Sequence, residues 1–273
     1  KEIIMQRFRS FIKEMAAVNV ADLDTEFLKR AQKITSFNLQ AKDFESLKYK
    51  AEIQHLFRMH FFPEFNLDNT IKGDIKMPVA NKLIKQLQSE SKNNFNKLHF
   101  YNLKGVGPGE ATLYFLCDQA MLGGGGSAGV DVIISGKKYE VKAASYSKNT
   151  NTLTGFKLGG TVPLGDMVTK AVDMKNQLGL TTKGKGQNEV NTTQIEAIRK
   201  KFPADWKKIE VQYGKVAEKY FGNTPVIFIN NNNTNGNLSS NGGGEIVTIK
   251  KVGFNDIQIH TITQGTIKPR VKI

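Results

Sequence analysis

The sequence predicts a mixed α/β (α+β) fold: a mixed sheet flanked by helices, preceded by a helical region and followed by a β-meander. Three observations lead there. Through about residue 100, apolar residues recur at helical spacing, as in Ile4, Phe8, Phe11, Ile12 and Met15 and again in Phe44, Leu47, Ala51 and Phe57. From Leu103 the texture changes to glycines, short apolar runs and β-branched residues between further amphipathic segments. After a stretch rich in Asn, Ser and Gly at 230–244, the tail alternates with period two. The chain divides accordingly into a helical region at 1–100, a core at 101–232 and a β-rich extension at 233–273.

The elements follow in order. Pro63 breaks the second helical run, and Pro78 can open another helix carrying Leu83, Ile84 and Leu87. A Gly-rich approach, Gly105-Val106-Gly107-Pro108-Gly109, leads into a helix expected over about 110–122, which Gly123 to Gly126 then end. Short strands are expected near 129–135 and 138–144, helices near 164–178, 192–201 and 205–220, and a buried strand at 225–229. Three tail segments, near 245–252, 256–263 and 266–272, complete the meander.

Composition narrows the function. The 39 Lys and Arg against 25 Asp and Glu leave +14, an excess that favours a polyanion because each neutralised phosphate releases counterions. Solubility and a membrane surface are the competing uses of such charge. The single cysteine, Cys117, leaves no internal disulfide and no cysteine-based zinc site. His55, His60, His99 and His260 have no zinc-ligand spacing, and no apolar run approaches the ~20 residues that span a bilayer. The first residues form a charged amphipathic pattern and not a secretory signal. The opening residue is Lys1, as in a processed chain or part of a longer product. The expected folding environment is reducing and cytosol-like.

The informative stretch runs from Gly129 to Ala144. A turn containing Gly136 between two apolar runs predicts a hairpin. With Ser135 to Lys138 as a four-residue loop, or Gly136-Lys137 as a two-residue one, Asp131 pairs with Lys142. With the turn at Ser135-Gly136, Asp131 stands opposite Glu140. In either register the period of two places Asp131, Glu140 and Lys142 on one face, with Val132, Ile134, Tyr139, Val141 and Ala143 on the other. Paired carboxylates suit Mg²⁺, with Mn²⁺ as the alternative, and a neighbouring lysine can orient a water or stabilise charge on a phosphate. The bland counterpart is a solvated face with an ion pair contributing well under ~1 kcal/mol. Glu110 lies on the core-facing edge of its helix, in line with Leu113, Leu116, Cys117 and Ala120. It either answers the helix dipole or points into a shared site.

Glu110, Asp131 and Glu140-Val141-Lys142, in that order, resemble the PD-(D/E)XK nuclease superfamily over roughly residues 104–146, extending to the strand at 225–229. The resemblance implies a restriction-endonuclease-like core and metal-dependent hydrolysis of phosphodiesters. It implies Asp131 and Glu140 as metal ligands, the Val141 carbonyl as an additional one, Glu110 as an outer acid, and Lys142 as the catalytic lysine. The family usually carries another strand between its first helix and the aspartate. Only Gly123 to Val130 is available here, so that strand is reduced or lies elsewhere. The Gly-rich helix entry and Lys/Asn-rich composition resemble bacteriophage-encoded members, which implies a setting that is cytoplasmic, in a bacterial host, or virion-associated.

The expected partner is DNA, with RNA as the alternative. Lys104, Lys137, Lys138, Lys148, Lys183 and Lys185 are the candidate phosphate contacts. A second copy of the chain and virion proteins are further partners left open. Gly105 to Gly109 lacks the Lys-Ser/Thr ending of a P-loop, which excludes that use. The competing function is a nucleic-acid-binding or virion structural protein with an inactive nuclease fold.

Overall fold

The computed structural model of the chain describes residues 62–100, 107–123, 130–159, 162–180, 186–234, 237–238 and 243–273. The helices expected at about 4–15 and 44–57 lie outside the described residues, as do Lys104, Lys183 and Lys185. The described residues form a mixed α/β structure in which helices pack against both faces of an eight-stranded sheet, one of them only in part.

One layer precedes the sheet in sequence. Helix α1 (Met77–Glu90) carries Pro78 in its first turn and buries Ala80, Leu83, Ile84 and Leu87, the i, i+3, i+4, i+7 stripe of an amphipathic helix. Ser91 ends it and caps α2 (Lys92–His99), its hydroxyl accepting from the Asn94 N–H at 3.3 Å. Such a cap contributes about 1 kcal/mol. Helix α3 (Glu110–Leu116) is buried on every side. Phe62 and Phe65 pack on its Phe115, with ring centroids 6.1 and 5.5 Å apart.

The sheet is built on β3 (Lys137–Ser147). It pairs antiparallel with β2 (Val132–Ile134) and β4 (Thr152–Thr154), and parallel with β5 (Val226–Asn230). A parallel neighbour needs a crossover, supplied by α4 (Gly165–Gln177), α5 (Thr192–Lys201) and α6 (Pro203–Phe221). Helix α5 starts on a capping box formed by Asn191 and Gln194. These three helices cover one face of the sheet, packing on Ala144, Val226 and Phe228, whereas α1 to α3 pack on Val132, Ile134, Tyr139, Val141, Ile227 and Ile229 of the other. Among the described residues no helix is long and apolar enough to cross a membrane.

Two expectations need correction. The helix expected to run to Leu122 stops at Leu116. Cys117 is extended and bridges Ile71, Gln119 turns through φ +50°, and β1 (Met121–Leu122) then pairs antiparallel with β2. Leu113, Leu116, Cys117 and Ala120 are all buried as expected, but a short apolar run does not reveal where helix gives way to strand. β1 thus lies between the helix and Asp131 in the chain. The tail is not a meander either. β8 (Ile246–Lys250) pairs with β5, β9 (Ile257–Thr263) pairs with β10 (Thr266–Lys272), and β10 joins β4, so all three belong to the main sheet. Within the Asn-rich stretch, β6 (Asn233–Thr234) and β7 (Asn237–Leu238) make a small separate pair.

Candidate active site

The β2–β3 hairpin turns at Ser135-Gly136, with φ +48° and +79°, so Val132 faces Tyr139 and Ile134 faces Lys137. Two residues with positive φ form the turn whose twist matches paired strands. Of the registers open in the sequence, the fold adopts the one that sets Asp131 opposite Glu140.

The two edges of β3 are used differently. β5 takes one edge over residues 140–144. The other edge pairs with β2 over 137–139 and with β4 over 145–147, and between them it has no strand partner among the described residues. Asp131 fills that gap. Its N–H donates to the Tyr139 carbonyl at 2.9 Å, and its Oδ2 accepts the Val141 N–H at 2.8 Å. The Glu140 N–H donates to Pro225 on the β5 side, so the Val141 N–H, and its carbonyl with it, points into the gap.

Glu140 is only 1% exposed, a setting that a lone carboxylate does not tolerate. Its Oε1 takes two donors: the Lys142 ammonium at 2.5 Å and the Tyr220 hydroxyl at 2.5 Å. Lys142 also donates to that hydroxyl at 3.3 Å and lies 5.4 Å from the centroid of the Tyr220 ring. Glu140 Oε2 is buried without a hydrogen-bond partner.

Glu110 enters from α3. Its Oε1 accepts the Gly107 N–H at 2.7 Å, and a Cβ on Gly107 would lie 2.6 Å from that oxygen. Gly109 adopts φ +89°, and a Cβ there would meet Ile229 Cδ1 at 2.4 Å. The Gly-rich approach is therefore a tight wrap that seats Glu110, requiring glycine for space at one position and for backbone conformation at the other.

Electrostatics reflects the crowding. Burial first, then Asp131, pushes the Glu110 carboxyl up to about 8. Burial, then Glu140, lifts Asp131 to about 6, the two carboxyls lying within hydrogen-bonding reach of each other. Burial pulls the Lys142 ammonium down, but Glu140, Tyr220 and Asp131 more than offset it and hold the group above its ordinary value. Lys142 is thus a cation at neutral pH. Tyr220, pushed up to about 12 by burial, stays a donor.

The structure brings Glu110, Asp131, Glu140 and Lys142 together and adds Tyr220, which sequence reading missed. Tyr220 sits seven residues after the buried Tyr213 and three after Ala217, so helical spacing already placed it on the inward face of α6. Among the described residues no three His, Cys, Asp or Glu side chains form a ready-made metal-ligand group. Each acid nevertheless has one oxygen engaged by a protein donor and the other without a hydrogen-bond donor in these contacts. The buried, unpartnered Glu140 Oε2 and the absence of sulfur from the set fit a hard cation. The basic residues divide. Lys138 is exposed on the same strand face as Glu140, Lys148 is exposed in the turn after β3, and Lys137 points to the opposite face and pairs with Asp74 at 2.5 Å. No protein-family model, curated protein or solved structure matches the chain.

Proposed function

We propose that the protein is a metal-dependent nuclease that hydrolyses DNA phosphodiester bonds, with Glu110, Asp131, Glu140 and Lys142 as its centre. The observation that carries this reading is the Glu140 carboxylate: 1% exposed, beside Asp131, clamped by Lys142 on one oxygen and buried without a hydrogen-bond partner on the other. Crowding three acids together, two of them buried, lowers stability, and such arrangements concentrate at functional sites. The order of Glu110, Asp131 and Glu140-Val141-Lys142, on a helix, beside one strand of a hairpin and on the other, supports the resemblance to the PD-(D/E)XK superfamily.

Asp131 and Glu140 would hold Mg²⁺ or Mn²⁺, with the Val141 carbonyl facing the same gap and Glu110 behind them. Bound there, such an ion supplies Lewis-acid activation of water and of the phosphate. The chain's own residues do the rest. Lys142, holding its proton, presents a positive charge to the phosphate oxygens as a P–O bond forms from water and the bond to the leaving oxygen breaks. The hydrogen bonds from Val141 and Gly107 fix Asp131 and the outer acid Glu110. The setting proposed is a bacterial cytoplasm or a virion, with further copies of the chain or virion proteins as additional partners.

One observation favours a second reading. Lys142 already neutralises Glu140 and Tyr220 hydrogen-bonds it, as they would in an inert nucleic-acid-binding or virion protein that retains the fold. Incubation with supercoiled and linear DNA, in Mg²⁺ or in chelator, decides between them. The nuclease reading expects cutting that needs the metal and is lost in Asp131→Asn. A wild-type protein that neither cuts nor gains thermal stability from Mg²⁺ or Mn²⁺ establishes the second.

A further inference from the structure

We infer that Tyr220 is a positioning residue for this centre: its hydroxyl holds Glu140 Oε1 and steadies Lys142, so that Oε2 is turned toward the cation. The inference rests on the reading of the site as a metal-dependent nuclease. It assigns a function to a residue on a crossover helix, 80 positions from Glu140 in the chain.

The geometry is specific. A carboxylate can rotate about its terminal bond and exchange its oxygens. At Glu140 that rotation is blocked, because Tyr220 and Lys142 both donate to Oε1 at 2.5 Å and neither donates to Oε2. Tyr220 also restrains the lysine, accepting from Nζ at 3.3 Å while its ring lies under the ammonium. The fold makes room for this contact. A Cβ on Gly159 would lie 2.8 Å from Tyr220 Cε2 and 3.2 Å from the hydroxyl, so the ring reaches Glu140 only because position 159 has no side chain. Donors to the far oxygen of a metal-binding carboxylate orient it and tune its basicity, and losing one typically costs about 10–100-fold in metal affinity or activity.

A purely structural tyrosine predicts the opposite sign. If the hydroxyl only satisfied a buried carboxylate, removing it would destabilise the fold and leave Glu140 with one donor fewer to compete with a cation, so metal affinity would hold or rise. The experiment measures Mn²⁺ binding by the electron-spin resonance of the free ion, together with cleavage as a function of Mn²⁺. It uses the wild-type, Tyr220→Phe, Gly159→Ala, double-variant and Asp131→Asn proteins. Expected for Tyr220→Phe is a rise of about 10-fold or more in the Mn²⁺ needed for half-saturation, with turnover still reduced at saturating metal and little change in melting temperature. Gly159→Ala should weaken Mn²⁺ in the same direction with the tyrosine retained. In the double variant its effect on Mn²⁺ should largely vanish, because the hydroxyl it displaces is already gone.

Wild-type Mn²⁺ affinity in Tyr220→Phe overturns the inference while leaving the nuclease reading standing. A Tyr220→Phe protein too unstable to assay also counts against it, since that makes the hydroxyl structural. Wild-type protein that binds no Mn²⁺ and cuts nothing removes the nuclease reading and this inference together.

Discussion

Asp131 Oδ2 accepts the Val141 N–H at 2.8 Å, which ties the acid beside β2 to the residue standing between Glu140 and Lys142. The carboxylate therefore repels the other acids and, through the same oxygen, completes the backbone hydrogen bonding where β3 lacks a partner strand. The two roles separate by substitution. Asp131→Asn can keep the acceptor oxygen and removes the charge, so the metal-free protein should be as stable as wild type or more so. Asp131→Ala strands the Val141 N–H, at a cost of about 1–3 kcal/mol that offsets the relief of repulsion. Both should abolish cleavage. Melting temperatures in chelator check the order: Asn at or above wild type, and Ala below Asn. Finding Asn well below wild type would mean that the negative charge itself stabilises the fold, as in a structural ion pair.

Stability of the metal-free protein should fall as pH rises through the site's titrations. Glu110 moves from 4.5 to about 8 and Asp131 from 3.8 to about 6, burial being the leading cause for each. A carboxyl with a raised folded value binds its proton more tightly in the fold. Its contribution is complete below the unfolded value near 4 and disappears as pH rises through 6 and 8. The comparison that isolates these groups is wild type against the protein carrying both Glu110→Gln and Asp131→Asn. Between pH 5 and pH 9 in chelator, wild type should lose a few kcal/mol relative to the double variant, by order of magnitude. Mg²⁺ should flatten the difference, because a cation favours the ionised acids. Parallel denaturant-derived stabilities across that range would rule out the crowded-acid account.

Much of this was legible in the sequence because period two and the turn chemistry of Ser135-Gly136 place Asp131, Glu140 and Lys142 on one face in either two-residue register. Helices α4 to α6 were legible for the same reason, their apolar spacing being long enough to be unambiguous. The run from Leu113 to Leu122 was not. Its residues are buried in helix, bridge and strand alike, and hydrophobicity does not report which. Pairing was also hidden. The alternation of β8, β9 and β10 shows one face turned inward, but the choice of β5 and β4 as neighbours is made by tertiary packing. Tyr220 shows the same limit at the site: spacing turns it inward, and only the fold shows that Glu140 lies opposite.

Lys142 should matter to stability only while the site lacks a cation. Its side chain is 15% exposed and pairs with a Glu140 side chain that is 1% exposed. Lys142→Met retains the aliphatic bulk and leaves the carboxylate with Tyr220 alone. Breaking such a pair from one side costs about 3–5 kcal/mol. Melting in chelator should therefore drop clearly, and Mg²⁺ should raise the melting temperature of Lys142→Met by more than it raises that of wild type. Cleavage should stay absent at every Mg²⁺ concentration, because positive charge at the metal does not replace the ammonium at the phosphate. Equal Mg²⁺ shifts in the two proteins would show that the ion does not bind beside Glu140.

Beyond the acid centre, the nucleic acid should gain a second contact on a sheet face that carries no acid, the reverse of the face that holds Glu140 and Lys142. Leu153, Ile257, Ile267 and Val271 turn inward against the helices, so their neighbours along β4, β9 and β10 turn outward. Register aligns Ser145 with Thr154 and Ser147 with Thr152, Thr152 with Lys272, Arg270 with Gln258, and Lys268 with Thr261. β4, β9 and β10 contain no Asp or Glu, and Lys268, Arg270 and Lys272 stand at alternate positions on one side of β10. Hydroxyls and cations without a competing carboxylate suit a phosphate backbone, whose binding depends on salt and little on sequence. Fluorescence anisotropy with Asp131→Asn protein in chelator measures binding without cutting. Replacing Lys268, Arg270 and Lys272 by Gln should weaken DNA binding at every salt concentration and lower the slope of log K against log salt by about 1 per lost phosphate contact. Replacing the exposed Lys200, Lys201 and Lys207 of α5 and α6 by Gln removes the same charge elsewhere. It should reduce affinity slightly and leave the slope close to that of the parent. Equal losses from the two triple variants would mean that only net charge attracts the polyanion, and that β10 is not where it lies.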